Sequence, residues 1–152
     1  MNERSDDYAG FVTRAIAFAI DVAIIDLAAA IVAIVVGLGI SALEVPAVVV
    51  TITVAIGGVA FLAWFVGYFA VFWSTTGQTP GARVMGVRVV CAGSDEPVHM
   101  GAAIVRLAGM VLAAIPLFAG FLLILVDDRR RGLQDRLART VVRYASDAPR
   151  LS

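Results

Sequence analysis

The sequence predicts an all-α membrane protein with two full transmembrane helices and a short cytoplasmic β-ribbon. A third apolar segment is either a Pro-broken re-entrant hairpin or a third span. Three observations carry this reading. The 152 residues are 61% hydrophobic and 16% charged, with mean hydropathy +0.92, whereas soluble domains carry about 25% charged residues. The apolar residues come in blocks, 15–40, 45–73 and 102–126, each longer than the roughly 20 residues that cross about 30 Å of hydrocarbon. Charge is segregated: all twelve basic residues are Arg, and seven of them (Arg129, Arg130, Arg131, Arg136, Arg139, Arg143, Arg150) follow the last block.

Residues 1–10 are polar and read as a disordered or interfacial segment, and 145–152 as a C-terminal tail around a membrane domain over 11–144. Gly10 or Thr13 opens the first helix, which runs to Gly37–Gly39. Nearly thirty residues make about 40 Å of helix, so it is tilted or begins in the interface. It carries Arg14, Asp21 and Asp26, and ionisable groups inside a bilayer cost about 2.5–3.5 kcal/mol each on insertion scales. Arg14 and Asp21 are seven residues apart and share a face. They read as a pair, with each other or across to Arg106 and the tail. Asp26 lies about 140° round the helix from Asp21 and faces elsewhere. Asp21 and Asp26 are the candidate proton or cation sites.

A turn over Ser41–Pro46, with Glu44 and no basic residue, leads to the second helix, which has proline in its first turn, where a missing N–H costs nothing. Its later half is aromatic. Tyr68 and Trp73 fit an interfacial belt, and the other rings fit lipid or bundle packing. Residues 74–101 are the longest polar segment. STTGQTPGARVMG is rich in turn formers, Gly86–Val90 alternates β-branched residues, and a second such run closes the chain at Thr140–Tyr144. The two runs can pair only if they lie on one membrane face.

That condition bears on the third block. If it spans once, the arginines fall on both sides of the membrane, against the positive-inside rule. If it enters and returns, with Pro116 and Gly120 as the turning point, only the arginine-free 40–46 turn lies outside. The hairpin is the preferred reading, with the N-terminus and tail cytoplasmic at the plasma membrane.

The chain is not expected to be an enzyme. Its one cysteine, Cys91, excludes an internal disulfide, and His99 has no catalytic companions. Neither metal-ligand spacing nor a cofactor signature is present, and GQTPGARVMG (Gly77–Gly86) lacks the Gly-Lys-Ser/Thr ending of a phosphate loop. Arg129–Arg131 are expected to anchor on anionic headgroups, with the bilayer rather than nucleic acid as partner.

Together these residues resemble the RDD family of membrane proteins, named for one arginine and two aspartates. Arg14 and Asp21 match the first two, and Asp135, in RRGLQDRLARTVV (Arg130–Val142), matches the last. Arg130 and Arg131 stand close to it as supporting charges. Gly77–Val90, with Gly77, Gln78, Thr79 and Gly81, is similar to the family's glycine–glutamine–threonine element, and Arg106 matches a basic residue before the final apolar block. The resemblance covers roughly 10–144. It departs from the family pattern at Ala82, where a Lys is usual, Gln134, where a His is usual, and Arg139, where a Gly is usual. Asp26 is no part of the signature. The resemblance implies transport, with sodium–proton antiport proposed for some members, and Asp21 is then the coupled carboxylate.

Two or three membrane segments are few for alternating access, so a transporter of this size implies a homo-oligomer or larger complex. The other expectation is a non-catalytic accessory or assembly subunit. Ala15, Ala19, Ala28–Ala30, Gly57 and Gly58 would then permit close helix approach.

Overall fold

The structure, a computed structural model, describes residues 8–94, 96–114, 124, 127 and 129–145. Two long helices leave and re-enter a compact cap. Helix α1 (Phe11–Ala42) has 32 residues and α2 (Ala47–Thr75) has 29, about 48 and 43 Å at 1.5 Å per residue. Both are long and apolar enough to cross a membrane. Gly10 caps α1, and the helix passes through Gly37 and Gly39 to end at Ala42. In hydrocarbon each backbone N–H needs an intrahelical partner, which outweighs glycine's weak helix preference. Pro46 sits at the N-cap of α2.

The cap is built from short elements: α3 (Pro80–Val84), β1 (Val87–Cys91), α4 (Met100–Ala114), α5 (Leu133–Ala138) and β2 (Thr140–Tyr144). Thr79 caps α3 by accepting from the Ala82 N–H at 3.1 Å, with Pro80 in the first turn. His99 does the same for α4 through Nδ1, which accepts from the Ala102 N–H at 3.1 Å. The two β-branched runs pair antiparallel, from Val87 opposite Tyr144 to Cys91 opposite Thr140, as expected of runs lying on one face.

The described end of the N-terminal segment, Tyr8 to Gly10, is tied to the ribbon. Tyr8 bridges to Arg143, and the Ala9 N–H donates to the Val142 carbonyl at 2.9 Å. The Tyr8 ring packs with Val90 and Val141, and the Arg143 guanidinium lies over it at 5.4 Å. An aromatic body and a neighbouring cation give this stretch something to bury, so from Tyr8 onward it belongs to the ribbon.

The core lies where the ribbon and α4 meet the cap-side ends of the spans. It includes Ile25, Phe69, Trp73, Val87, Val89, Val98, Leu107 and Val142. Phe69 stacks on Phe18 at 5.4 Å and tilts against Trp73 at 5.1 Å. Away from the cap both spans are bare. The buried residues of α1 are Ala17, Asp21 and Ile25, and those of α2 are Phe69, Ala70 and Trp73.

Helix α4 has 15 residues, about 22 Å, too short to cross about 30 Å of hydrocarbon. Arg106 in α4 and Arg14 in α1 both touch Asp135 in α5, so the chain on either side of the third apolar block meets the same end of α1. The expected turning point, Pro116 to Gly120, lies outside the described residues.

Candidate functional site

Two buried carboxylates hold the cap to the spans. Asp21, 2% exposed, accepts from three donors on two other elements. The Tyr68 hydroxyl donates to Oδ1 at 2.9 Å and the Gly81 N–H donates to the same oxygen at 2.7 Å. The Thr79 hydroxyl donates to Oδ2. A carboxylate that gains this many donors is well compensated for leaving water.

The loop reaches Asp21 because it contains glycine at the point of contact. A Cβ on Gly81 would stand 2.1 Å from the Ala17 carbonyl oxygen and 2.9 Å from the Asp21 carboxyl carbon. Gly77 is needed for a different reason. Its φ is +71, its carbonyl accepts from the Val89 N–H at 2.7 Å, and a Cβ there would stand 2.6 Å from the Val89 carbonyl oxygen. Gln78 Nε2 donates to the Val87 carbonyl at 3.0 Å. So Gly77 and Gln78 sew the loop to β1, while Thr79 and Gly81 sew it to α1.

Asp135 is fully buried and is the second node. Its Oδ2 accepts from Arg14 Nη1 at 2.5 Å and from the Gly132 N–H at 3.0 Å, which also caps α5. Its Oδ1 accepts from Arg106 Nη1. Arg106 further donates to Thr140 Oγ1 at 2.8 Å and lies 4.9 Å over the Trp73 ring. Arg14 completes its fork with the Ala9 carbonyl at 2.9 Å and the Arg130 carbonyl at 2.7 Å. Burial alone would raise the Asp135 carboxyl, but the Arg106 and Arg14 guanidiniums beside it hold it below the usual aspartate range.

The signature residues therefore divide differently from a simple helix-face pairing. Arg14 does not pair with Asp21, although they share a face of α1. Helical side chains lean toward the N-terminus, so Arg14 reaches back to Asp135 while Asp21 meets the loop. Tyr68 and Trp73 are no interfacial belt: one donates to Asp21, and the other is 4% exposed beneath Arg106. Arg131 interacts with the Asp135 charge electrostatically but makes no hydrogen bond to it among those of the described residues. It pairs with Asp127 at 3.0 Å, and Arg136 reaches the same carboxylate at 2.8 Å. The hydrogen bond from Arg131 does most to hold the Asp127 carboxyl far below its ordinary value. Arg130 contributes its carbonyl to Arg14 and donates from Nη1 to the Tyr8 carbonyl at 3.0 Å, while Arg129 is exposed.

Asp26 stands apart. It is exposed, and among the described residues no hydrogen bond or ion pair reaches it. No role at a carboxylate or guanidinium was expected of Tyr68, Trp73, Thr140 or Asp127 from the sequence. Only Asp127, flanked by the Arg-rich stretch, carried a local signal; the others acquire roles from contacts 33 to 47 residues away.

Between α1, α2 and α4 lies a cavity of about 700 Å³, with apolar walls and Arg14, Asp21, Thr79, Arg106 and Gln134 among its lining. Among the described residues no group of three or more His, Cys, Asp or Glu side chains is placed to hold a metal.

The RDD family model matches residues 8–139. Among curated proteins, the chain is 34% identical over 87 residues to the "Proline-rich antigen homolog" of Mycobacterium tuberculosis, covering 57% of this chain and 35% of that protein. It is 32% identical over 82 residues to the "Proline-rich antigen" of Mycobacterium leprae, covering 54% and 32%. The matched region thus amounts to about a third of the length of these relatives. No solved structure matches the chain.

Proposed function

This chain belongs to the RDD family of membrane proteins, and on that premise we propose that it is a non-enzymatic assembly module. In this reading the family's charges hold a cap on two spans, and the bare outer halves of the spans dock against membrane helices. The observation that carries it is Asp26. It lies about 22 Å along α1, exposed and without a partner among the described residues. An ionisable group at that depth is costly in lipid and calls for a polar partner or a water-filled path. A second copy of the chain, or a partner helix offering a donor, satisfies it.

Orientation follows from charge. Ten of the twelve arginines lie in the cap or at the start of α1, and the 43–46 turn has none. The positive-inside rule then assigns the cap to the cytoplasmic side of the plasma membrane, beside its anionic headgroups.

The test is the native size of the protein in mild detergent or nanodiscs taken from its own membrane. Wild type is expected to run as an assembly larger than the 16.0 kDa chain, and Asp26→Leu as a monomer with an unchanged melting temperature. A wild-type monomer, or an assembly indifferent to Asp26→Leu, overturns the reading.

A second reading, cation–proton coupling at Asp21, draws support from that residue's place in the cavity lining. It requires Asp21 to release Tyr68, Thr79 and Gly81 in each cycle. Cation-dependent proton flux in proteoliposomes, present in wild type and lost in folded Asp21→Asn, supports it. Equal flux in both, or none in either, removes it.

A further inference from the structure

Two exposed polar groups on the spans lack a partner, and one is the complement of the other. Asp26 on α1 has carboxyl oxygens that accept, and Trp64 on α2 has an indole N–H that can only donate. Asp26 is exposed and Trp64 is 55% exposed. Among the described residues neither side chain makes a hydrogen bond. Membrane tryptophans usually sit at the interface, where the N–H meets headgroups and water. Trp64 stands deep in its span, 17 residues from Ala47 and 11 from Thr75, about 26 and 17 Å from the two ends.

The two groups lie at one depth. The four-residue 43–46 turn joins the outer ends of the spans, Ala42 and Ala47. Asp26 is 16 residues from Ala42, about 24 Å at 1.5 Å per residue, which matches Trp64. The cap-side end agrees: the Tyr68 hydroxyl donates to Asp21, five residues before Asp26 and four after Trp64. The surrounding faces match in the same way. Ala30 and Ala33 follow Asp26 by four and seven residues, and Ala60 and Gly57 precede Trp64 by four and seven. Each set shares a helix face, and paired members differ by about 1.5 Å in depth. All four small residues are exposed.

Equal depth selects the partner. Copies of one chain insert in one orientation, and a closed assembly relates them by rotation about the membrane normal, which changes no depth. A donor and an acceptor level with each other on two helices of one copy are therefore level across the boundary between two copies. An unrelated helix has no such reason to answer both groups. We propose that α1 of one copy docks on α2 of a second copy of this chain, with Trp64 Nε1–H donating to the Asp26 carboxyl. This rests on the assembly reading of Asp26 and names the partner that reading leaves open. A carboxyl oxygen accepts from the indole in either protonation state, and the bond satisfies two groups that hydrocarbon cannot. Ala30, Ala33, Gly57 and Ala60 let the helices come close; they permit the contact, and the donor and acceptor select it.

The test is disulfide cross-linking of two differently tagged copies in their own membrane, one carrying Ala30→Cys and the other Ala60→Cys. Both carry Cys91→Ala, which removes the one native cysteine, so any disulfide joins two copies. A dimer bearing both tags is expected to exceed either like-tagged dimer. It is expected to vanish when Val48→Cys, about 18 Å further out on α2, replaces Ala60→Cys. Trp64→Phe keeps a ring and removes the N–H. It is expected to weaken association about tenfold, the factor for roughly one net hydrogen bond, read by energy transfer between labelled copies in liposomes. Asp26→Asn keeps an acceptor and is expected to associate like wild type, whereas Asp26→Leu is not. Melting temperatures are expected to be unchanged, because these positions lie outside the cap. Absence of the mixed dimer, undiminished association in Trp64→Phe, or lost association in Asp26→Asn overturns the inference. If any of these occurs while Asp26→Leu still dissolves a wild-type assembly, the assembly reading stands with a different protein as partner. A wild-type monomer overturns both.

Discussion

Asp21 and Asp26 stand five residues apart on one helix and live in opposite worlds. Asp21 is buried against the cap with three donors; Asp26 is exposed on a bare stretch with none among the described residues. The same contrast divides the molecule. Near the cap Arg14, Asp21, Arg106 and Asp135 are each tied to an element distant in sequence. Beyond Ile25 on α1, and before Phe65 on α2, the helices present Val, Ile and Leu to their surroundings. Burial within this chain is thus no measure of importance in a membrane protein, since lipid covers apolar faces without a protein partner. What it does measure is which charges the chain itself satisfies.

The sharpest way to break the comparison is to open the Asp135 node. Asp135→Ala leaves Arg14 and Arg106 buried without their carboxylate, a change that costs about 3–5 kcal/mol in comparable buried pairs. The expected result is a large drop in melting temperature in detergent, and a small drop would show that water already reaches the node. Gly81→Ala is expected to cost about 1–3 kcal/mol by overpacking, because the new Cβ would meet the Ala17 carbonyl oxygen. The same substitution at Gly58, which has nothing within 4 Å, is expected to be neutral in the same melt.

Acid should act on the cap alone. Asp127 and Asp135 have carboxyls held below their ordinary value. Their contribution is therefore fully present above the unfolded aspartate value of about 3.9 and is lost as pH falls through the folded values. Melting temperature is expected to be flat from neutral pH to about 5 and to decline below it. A decline already under way at pH 7 would point to another titrating group.

The smallest effect is expected at Arg139, which adopts φ 53 at the C-cap of α5. A non-glycine residue there is disfavoured by about 1 kcal/mol or somewhat more, so Arg139→Gly is expected to raise stability by about that amount. An unchanged melt would mean that the Arg139 side chain contributes an offsetting interaction. The glycine usual in the family at this position has a plain physical reason.

Much of this molecule could be read from its sequence. Hydrophobic blocks of known length identified the two spans, and β-branched runs identified the strands. Arg14, Asp21 and Arg106 were visible because ionisable residues in or near apolar blocks are conspicuous, whereas Asp135 was picked out by the resemblance to the RDD family. Gly77, Gln78, Thr79 and Gly81 read as turn formers, without a hint that two of them close on Asp21.

What only the tertiary structure decided is who pairs with whom. Arg14 and Asp21 share a face, which made them natural partners, yet each is claimed by a residue 60 to 121 positions away. Periodicity reports which direction a side chain points and is silent about what has been folded up against it. Tyr68 and Trp73 show the same limit: an aromatic near a span's end reads as an interfacial anchor until a carboxylate or a guanidinium arrives from elsewhere. The spans and their length are local properties set by the bilayer's thickness and the backbone's need for hydrogen bonds. The two carboxylate nodes are long-range properties, set by a glycine small enough to let the loop in and an arginine long enough to reach across.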